Sequence, residues 1–407
     1  MASGKWQVTL ATQEVSMREK GLLKFIDRFV GVPIAFLLGT TSRLWQPRRI
    51  LSQGAVCNIL IIKLSAVGDS ILAVPAWRSL RERFCQSGIT VICSSVTHDT
   101  LSAFPFFDDI IHLNIEKMVR KPRALFGFLR DLRSREFDLV IDFDQWMRMT
   151  ALLSFATGAP KRVGFDTKDQ HRRFCYTHTV RPSEQRHEVN SFMDLAVAAG
   201  AARGSRELQM WIPDEDLAAA RDTISYARRD SRIVVAFHPG CGGSGTPRQW
   251  PADAFVNLGK KLTESSREIA VVVTGSPGEI PLAEEIANRI GDRCISLAGA
   301  QSITRFAALL KCCNLLVCGN TGAMHVAAAV GVPTVALHGP TNPHKWGPVG
   351  DNHVVIQSPI PCSPCLDLGF DYGCTSHPCM GMITVDGVFD AVSSRLARLR
   401  SGDEVSL

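Results

Sequence analysis

The sequence predicts an α/β protein with two Rossmann-like domains, each built on a parallel sheet, that face each other across a cleft. Short apolar runs alternate with helical patterns along most of the chain, which is typical of parallel α/β sheets. The length of 407 residues suits two or three domains. Hydrophobic residues make up 45% and charged residues 21%. This composition excludes wholesale disorder, a collagen-like repeat and a polytopic membrane protein.

Residues 1–55 are predicted to form a basic amphipathic leader. Seven basic and two acidic residues lie between Ser16 and Arg49, and they give +5 of the formal net charge of +6. The uncharged window Phe29–Ser42 is shorter than the roughly twenty residues that span a bilayer, and its flanks do not suit a secretory signal. We expect residues 16–49 to bind an anionic membrane surface. An extra helix that covers an apolar patch of the body is the alternative, and nucleic acid is not an expected partner.

The N-terminal domain is predicted over residues 56–205. Its first strand is followed by the loop SAVGDS and by a helix that begins at about Ile71. The predicted strands are the apolar runs Asn58–Leu64, Ile89–Ser94, Ile110–Asn114 and Asp138–Phe143.

Residues 206–231 are predicted to be the linker region, and residues 232–384 the C-terminal domain. The final segment, residues 385–407, is predicted to form a closing amphipathic helix, with its pattern over Val385–Arg400. The predicted strands of the C-terminal domain lie in RIVVAFHPG from Arg232 and in Ala270–Ser276, Asn314–Asn320 and Thr334–Pro340.

The loops after the strands are the candidate site, because ligands of open α/β sheets bind beyond the carboxyl ends of the strands. No Walker lysine loop is present, so a phosphate-binding loop of that kind is not supported. In the first loop, Gly68 permits a tight turn and Asp69 places a carboxylate at the edge of the cleft. Taken alone, this loop favours a helix-capping role for Asp69.

Two loops of the C-terminal domain have the features of a phosphate site. The loop His238–Pro251 is rich in glycine and carries Arg248, which can grip a phosphate group. A flexible surface loop is the alternative. Farther along, Thr321 and Gly322 open a helix whose amide groups and dipole face the cleft. His325 lies on the same face of this helix, although a lone helical histidine is more often structural.

Thirteen cysteines fall into two groups, of which nine are scattered, often inside apolar segments, and four are clustered. The scattered ones suit small buried residues in a reducing compartment. The loop 361–380 holds the cluster, and four thiolates can complete a zinc site or hold an iron–sulfur cluster. The favoured alternative is a structural loop of free or redox-sensitive thiols. The clustered residues are Cys362, Cys365, Cys374 and Cys379.

Four segments together resemble the ADP-heptose:lipopolysaccharide heptosyltransferase family, glycosyltransferase family 9, whose members are inverting enzymes of the GT-B fold. The resemblance extends from about Asn58 to the C-terminal region. The matching segments are KLSAVGDSILAVPAWRSL, FDLVIDFDQWMRMTALLSFATGAPKRVGFD, HPGCGGSGTPRQWP and GNTGAMHVAAAVGVPTVALHGPTNPHKWGP.

On the acceptor side, the resemblance implies that Asp69 is the general base that removes the proton of the acceptor hydroxyl. Ser65 and Gly68 would shape the same side of the cleft.

The family requires no metal or other cofactor for catalysis. Asp142 and Asp144 form the DxD pattern of metal-dependent transferases of the other common fold, and an ordinary pair at the end of a strand is favoured here.

On the donor side, Arg248 stands where the family has a lysine or arginine that neutralises the donor diphosphate. Backbone amides of the helix that Thr321 and Gly322 open would bind the same diphosphate. One departure is Asn320, since many members carry an acidic residue there that is associated with the hydroxyls of the donor sugar. The residues expected near the nucleotide are His325, Gly339 and Thr341.

The resemblance thus implies an inverting, metal-independent glycosyltransferase that moves a sugar, expected to be heptose from ADP-heptose. The expected acceptor is a lipopolysaccharide core or a related lipid-linked glycan. The expected location is cytoplasmic, with the enzyme peripheral on the inner face of the inner membrane. A transferase for another nucleotide-sugar, or a nucleotide-sugar epimerase of the same fold, is the alternative.

Overall fold

A computed structural model describes most of the chain after the leader. The residues it describes are 56–114, 122–228, 231–242, 245–300, 302–366, 374 and 376–401. The predicted leader, residues 1–55, lies outside them, and so does most of the sequence between Cys365 and Cys374.

The N-terminal sheet has six parallel strands in the order β3-β2-β1-β4-β5-β6. All four predicted strands are present. Two more, β5 and β6, complete the sheet, and the sequence did not reveal them because one opens with two basic residues and the other has only three residues. The strands are β1 Asn58–Ile62, β2 Gly88–Cys93, β3 Asp109–His112, β4 Leu139–Asp142, β5 Lys161–Phe165 and β6 His178–Val180.

Helices cover both faces of this sheet. The helix predicted from Ile71 begins earlier, at Val67, and the chain starts a second helix after Ala73. Pro75 explains this break, because proline has no N–H to continue the hydrogen bonding of the first helix. The helices are α1 Val67–Leu72, α2 Val74–Arg83, α3 His98–Ser102, α4 Pro122–Ser134, α5 Arg148–Ala156 and α6 Glu188–Ala199.

The C-terminal sheet repeats this plan with six parallel strands in the order β12-β11-β10-β7-β8-β9. Four of these strands lie within the predicted apolar runs or within one residue of them. The strands are β7 Ile233–His238, β8 Ile269–Val273, β9 Cys294–Ser296, β10 Leu315–Gly319, β11 Thr334–His338 and β12 Val354–Gln357.

A helix occupies much of the region predicted as a linker. It packs against the C-terminal domain, where Asp216 accepts hydrogen bonds from the Thr304 hydroxyl at 2.6 Å and from Arg305 at 3.2 Å. The helices of this half are α7 Asp214–Arg228, α8 Ala252–Ser265, α9 Ile280–Ile290, α10 Ile303–Lys311, α11 Gly322–Ala329, α12 Pro343–Trp346 and α13 Val385–Ser401. Among these and the other described helices, none combines the length and the apolar character that crossing a bilayer requires.

The strand orders determine where the candidate loops meet. In each sheet the chain moves outward in one direction from the first strand and then returns to build the other side. The loops after β1 and β4, and those after β7 and β10, therefore border a crevice at the carboxyl edge of their sheet. Asp69, Asp144, Arg248 and Thr321 follow these four strands in turn, so the topology brings the predicted site loops to the two crevices.

Candidate active site

A cleft of about 680 Å³ lies between the carboxyl edges of the two sheets. Of the residues predicted for the donor and acceptor sides, Gly339 alone does not line it. A Cβ atom placed on Gly339 would lie 2.5 Å from Sδ of Met380 and 2.9 Å from Sγ of Cys379. The predicted residues that line the cleft are Ser65, Gly68, Asp69, Arg248, Asn320, Thr321, Gly322, His325 and Thr341.

The N-termini of α1 and α11 meet at the floor of the cleft. A Cβ atom placed on Gly68 would lie 3.0 Å from Cδ2 of His325 and 3.3 Å from the α-carbon of Gly322. Only glycine permits this approach without a shift of the neighbouring helix. Ala66, just before α1, has a φ of 63°, a conformation that costs a non-glycine residue free energy. The turn that leads into α1, the helix that carries Asp69, is thus strained and tightly packed.

Asp69 presents its carboxylate to the cleft. The N-cap of α1 is Ala66, and no side chain makes a capping hydrogen bond there, so the capping role that the loop alone favoured for Asp69 is wrong. The Asp69 side chain is 28% exposed, and Oδ2 lies 3.7 Å from Nζ of Lys63. Burial raises the pKa of Asp69, Lys63 and Arg248 oppose this shift, and Asp144 adds to it. Asp69 is therefore a carboxylate that is accessible from the cleft and has an increased proton affinity.

The two aspartates of the DxD pattern are engaged inside the N-terminal domain. Asp142 Oδ2 accepts hydrogen bonds from Nη2 of Arg172 and from the Tyr176 hydroxyl, both at 2.6 Å. Asp144 Oδ1 lies 3.0 Å from Nζ of Lys63. Both carboxylates are almost fully buried and each has a cationic partner. They behave as the pair at the end of a strand that the sequence favoured.

Positive groups gather on the opposite wall. Arg248 stands at the end of a single 3₁₀ turn, Thr246–Arg248, and its Nη1 donates to the carbonyl oxygen of Asn320 at 3.2 Å. Its Nε has no hydrogen-bond partner among the described residues. The Thr321 hydroxyl accepts from the Ala323 amide at 3.1 Å and caps α11, whose positive dipole end borders the cleft. A guanidinium and a helix N-terminus together suit a diphosphate.

The histidines near this wall are neutral. Burial lowers the pKa of His325 to about 3 and the pKa of His338 to about 4. His338 Nδ1 and the Thr341 hydroxyl are 3.1 Å apart, which orients Thr341 at the edge of the cleft. These imidazoles therefore add hydrogen-bonding groups to the site and no positive charge.

Glu279 lines the cleft and was missed from the sequence. The Ser276 and Gly242 amides donate to its carboxylate at 2.8 and 3.1 Å. Although burial would raise the pKa of Glu279, these bonds hold it below its ordinary value. The signal was available in the segment SPGE, because serine followed three residues later by glutamate after a buried strand is the pattern of a capping box.

The described part of the cysteine loop gives no support to a metal site. Cys362 is exposed, Cys365 and Cys374 are half-buried and Cys379 is buried, and all four are free thiols. Cys374 Sγ lies 3.5 Å from Nδ1 of His377. No three histidine, cysteine, aspartate or glutamate side chains of the described residues are arranged to hold a metal ion.

Comparison with known proteins adds to this geometry. Residues 125–375, more than half of the chain, match glycosyltransferase family 9 (heptosyltransferase). Lipopolysaccharide heptosyltransferase 2 of Escherichia coli (strain K12) is 25% identical over 312 residues, which are 74% of this chain and 88% of that protein.

Solved structures share the fold. The structure of E. coli ADP-heptose lps heptosyltransferase II has 24% sequence identity and a TM-score of 0.66, over 84% of this chain and 99% of that one. E. coli heptosyltransferase WaaC with ADP has 19% identity and a TM-score of 0.64, over 83% and 99%. The predicted fold class, GT-B with two facing Rossmann-like domains, is confirmed. The chain belongs to glycosyltransferase family 9, the heptosyltransferase family, and is a glycosyltransferase.

Proposed function

We propose that this enzyme is an inverting, metal-independent heptosyltransferase that transfers heptose from ADP-heptose to a lipopolysaccharide core or a related lipid-linked glycan. The observation that carries the proposal is the division of the cleft. A carboxylate with raised proton affinity, Asp69, stands on the N-terminal wall, and the cationic phosphate site of Arg248 and α11 stands on the C-terminal wall. The names of the relatives, which include lipopolysaccharide heptosyltransferases, support the donor and the acceptor.

In this mechanism Asp69 accepts the proton of the acceptor hydroxyl as its oxygen attacks the anomeric carbon of the donor sugar. The new carbon–oxygen bond forms on the face opposite the diphosphate. The bond between the anomeric carbon and the diphosphate oxygen breaks, and its electron pair leaves with the nucleoside diphosphate. A base and a leaving-group site on opposite walls favour this displacement, which inverts the configuration of the anomeric carbon.

Arg248 and the N-terminus of α11 supply the charge that the leaving diphosphate needs. Donors that are fixed before the reaction stabilise developing negative charge without reorganisation. The Asp142 and Asp144 carboxylates are held by Arg172 and Lys63 and are not directed to the diphosphate. These arrangements support a reaction in which protein groups alone balance the charge of the leaving group.

The test of the base is the variant Asp69→Asn, which keeps the size of the side chain but cannot accept the proton. We expect the rate of transfer to fall about 10²- to 10⁴-fold, the usual contribution of a general base. Binding of ADP, followed as a rise in thermal stability, should be retained. Asp131→Asn, an exposed aspartate on α4, is the control and should transfer at the wild-type rate. Unchanged transfer by Asp69→Asn would overturn the assignment.

The donor is tested by thermal shift against ADP-, UDP-, GDP- and CMP-sugars, because a ligand that binds only the folded state raises its apparent stability. The ADP-sugar should give the largest shift, and ADP-heptose should give a larger one than ADP-glucose. Incubation without a lipid acceptor distinguishes the epimerase alternative. An altered nucleotide-sugar or a free sugar formed in that reaction would contradict the transferase proposal.

The proposed location is the inner face of the cytoplasmic membrane, where residues 16–49 would bind anionic lipid. The support is the charge of +5 on this segment beside an apolar window. Deletion of residues 1–50 should release the enzyme from vesicles that contain anionic lipid, while the thermal shift with ADP stays unchanged. Equal binding of the full-length and the shortened chain to such vesicles would overturn the proposal.

A further inference from the structure

Asp144 accepts four hydrogen bonds from the loop between β1 and α1, the helix that carries Asp69. Its carboxylate accepts from Nζ of Lys63 at 3.0 Å and from the Leu64 amide at 2.6 Å. The Ser65 amide and hydroxyl donate to Oδ1 at 3.3 and 2.6 Å. Asp144 is 1% exposed, so these bonds are shielded from water. Three consecutive residues of the loop are thus tied to one buried carboxylate.

The position of Asp144 is itself fixed by the sheet. β4 pairs with β1, with Asp142 opposite Ile62, and the Phe143 amide donates to the Ile62 carbonyl at 2.9 Å. The Asp144 amide donates to Oδ1 of Asp142 at 3.0 Å. The other oxygen of Asp142 is bound by Arg172, which is fully buried. A rigid strand end therefore supports the carboxylate that holds the loop.

We propose that Asp144, acting through Lys63 and Ser65, is a positioning residue that holds the Asp69 carboxylate in place for the reaction. This inference rests on the proposed role of Asp69 as the base. Lys63 Nζ lies 3.0 Å from Asp144 and 3.7 Å from Asp69, so Asp144 is its nearer partner. At this distance Lys63 can orient the Asp69 carboxylate. The carboxylate is not engaged in a short ion pair, so it can still accept a proton.

Charge gives Asp144 a second influence on Asp69. The charged groups that act on Asp69 are Lys63 and Asp144 from the loops after β1 and β4, Arg248 from the opposite wall and Glu188 from α6. Burial would lower the pKa of Lys63, but Asp144 and Asp69 raise it overall, so its ammonium stays charged. Asp144 raises the pKa of Asp69, and Lys63 lowers it.

Two substitutions should therefore move the pH profile in opposite directions. Asp144→Asn removes a negative charge and frees Lys63 to pair with Asp69, so the pKa of Asp69 falls. Lys63→Met removes the positive charge, so that pKa rises. The acid limb of kcat/KM reports the base of the free enzyme. It should shift to lower pH in D144N and to higher pH in K63M, with kcat reduced about 10- to 100-fold in both, as expected for a misplaced group.

Tyr176→Phe is the control for a loss that is only structural, because it removes a buried hydrogen bond to Asp142 on the side away from the loop. It should lower the melting temperature without moving the acid limb. If D144N does not fold, the pH profile of K63M is the test. An acid limb of kcat/KM in K63M that stays in place or shifts to lower pH overturns the proposal. The base is tested separately: D69N with wild-type transfer overturns both inferences. Loss of transfer in D69N, with unshifted limbs in D144N and K63M, overturns only the positioning role.

Discussion

At the scale of single residues, the amide of Asn320 joins two elements beside the cleft. Its Nδ2 donates to the carbonyl oxygen of Trp346 at 2.9 Å, and the side chain is buried at the edge of the cleft. The backbone carbonyl oxygen of Asn320 accepts a hydrogen bond from Nη1 of Arg248. Asn320 therefore ties α12 to the start of α11. A carboxylate could not make this bond, since two acceptors would face each other.

Asn320→Asp should consequently weaken the fold as well as donor binding. We expect a loss of about 1–3 kcal/mol in the free energy of unfolding, the cost of a buried acceptor left without its donor. The KM for the donor should rise, because Trp346 lines the cleft. Urea titration and initial rates measure the two effects. Asn352→Asp, where the amide lies 3.4 Å from a surface carbonyl, is the matched control. Equal stability of the two variants would contradict this role for Asn320.

At the scale of elements, the junction of α1 and α11 depends on the small size of Gly68. Gly68→Ala should push the two helix N-termini apart, since its Cβ would lie 3.0 Å from the buried His325 ring. We expect a lower melting temperature and a fall in kcat of about 10-fold or more, because the displaced first turn of α1 carries Asp69.

Gly322→Ala is the stability control on the facing helix, since its nearest contact would be an ordinary 3.5 Å. Its melting temperature should stay close to that of the wild type. Comparable losses of stability in Gly68→Ala and Gly322→Ala would show that the close approach is not specific to Gly68.

At this scale, the apolar character of a strand determined whether the sequence predicted it. Strands with continuous apolar runs, such as β1 and β10, were found because both faces are buried. Four strands were missed. Three of them, β6, β9 and β12, form sheet edges and have only three or four residues, and β5 opens with Lys161 and Arg162. Helix α7 lay unnoticed in the linker, although its first turn holds three acidic residues, a signal for a helix start.

The residues of the candidate site also differ in whether the sequence alone could identify them. Asp69, Arg248 and Thr321 could be selected because each follows an apolar strand and has a suitable side chain. The link between Asp144 and Lys63 could not, because it depends on β4 lying next to β1. Strand order is a property of the assembled sheet, and residues about eighty positions apart give no local pattern for it.

At the scale of the whole molecule, buried polar contacts join the two domains behind the cleft. Glu188, at the start of α6, lies 3.1 Å from Nζ of Lys345 in α12, and both side chains are fully buried. Lys345 also donates to the Ser183 carbonyl at 2.7 Å. His187 Nε2 lies 2.9 Å from the Gly347 carbonyl oxygen. Since Asn320 holds Trp346, these contacts connect the N-terminal domain to the donor wall through α12.

The interdomain pair should make stability depend on pH. Burial raises the pKa of Glu188 to about 7, although Lys345 opposes the shift. The folded protein then binds a proton more tightly than the unfolded chain. The contribution of this proton to the free energy of unfolding is therefore complete at about pH 4.5 and is lost as the pH rises through about 7.

Glu188→Gln cannot titrate. The free energy of unfolding of the wild type should fall relative to that variant by about 2 kcal/mol between about pH 5 and pH 8, at roughly 1.4 kcal/mol per pKa unit. Urea titrations across this range measure the difference, with exposed Glu184→Gln as the control, and a difference that does not change with pH would refute this account of the interdomain pair.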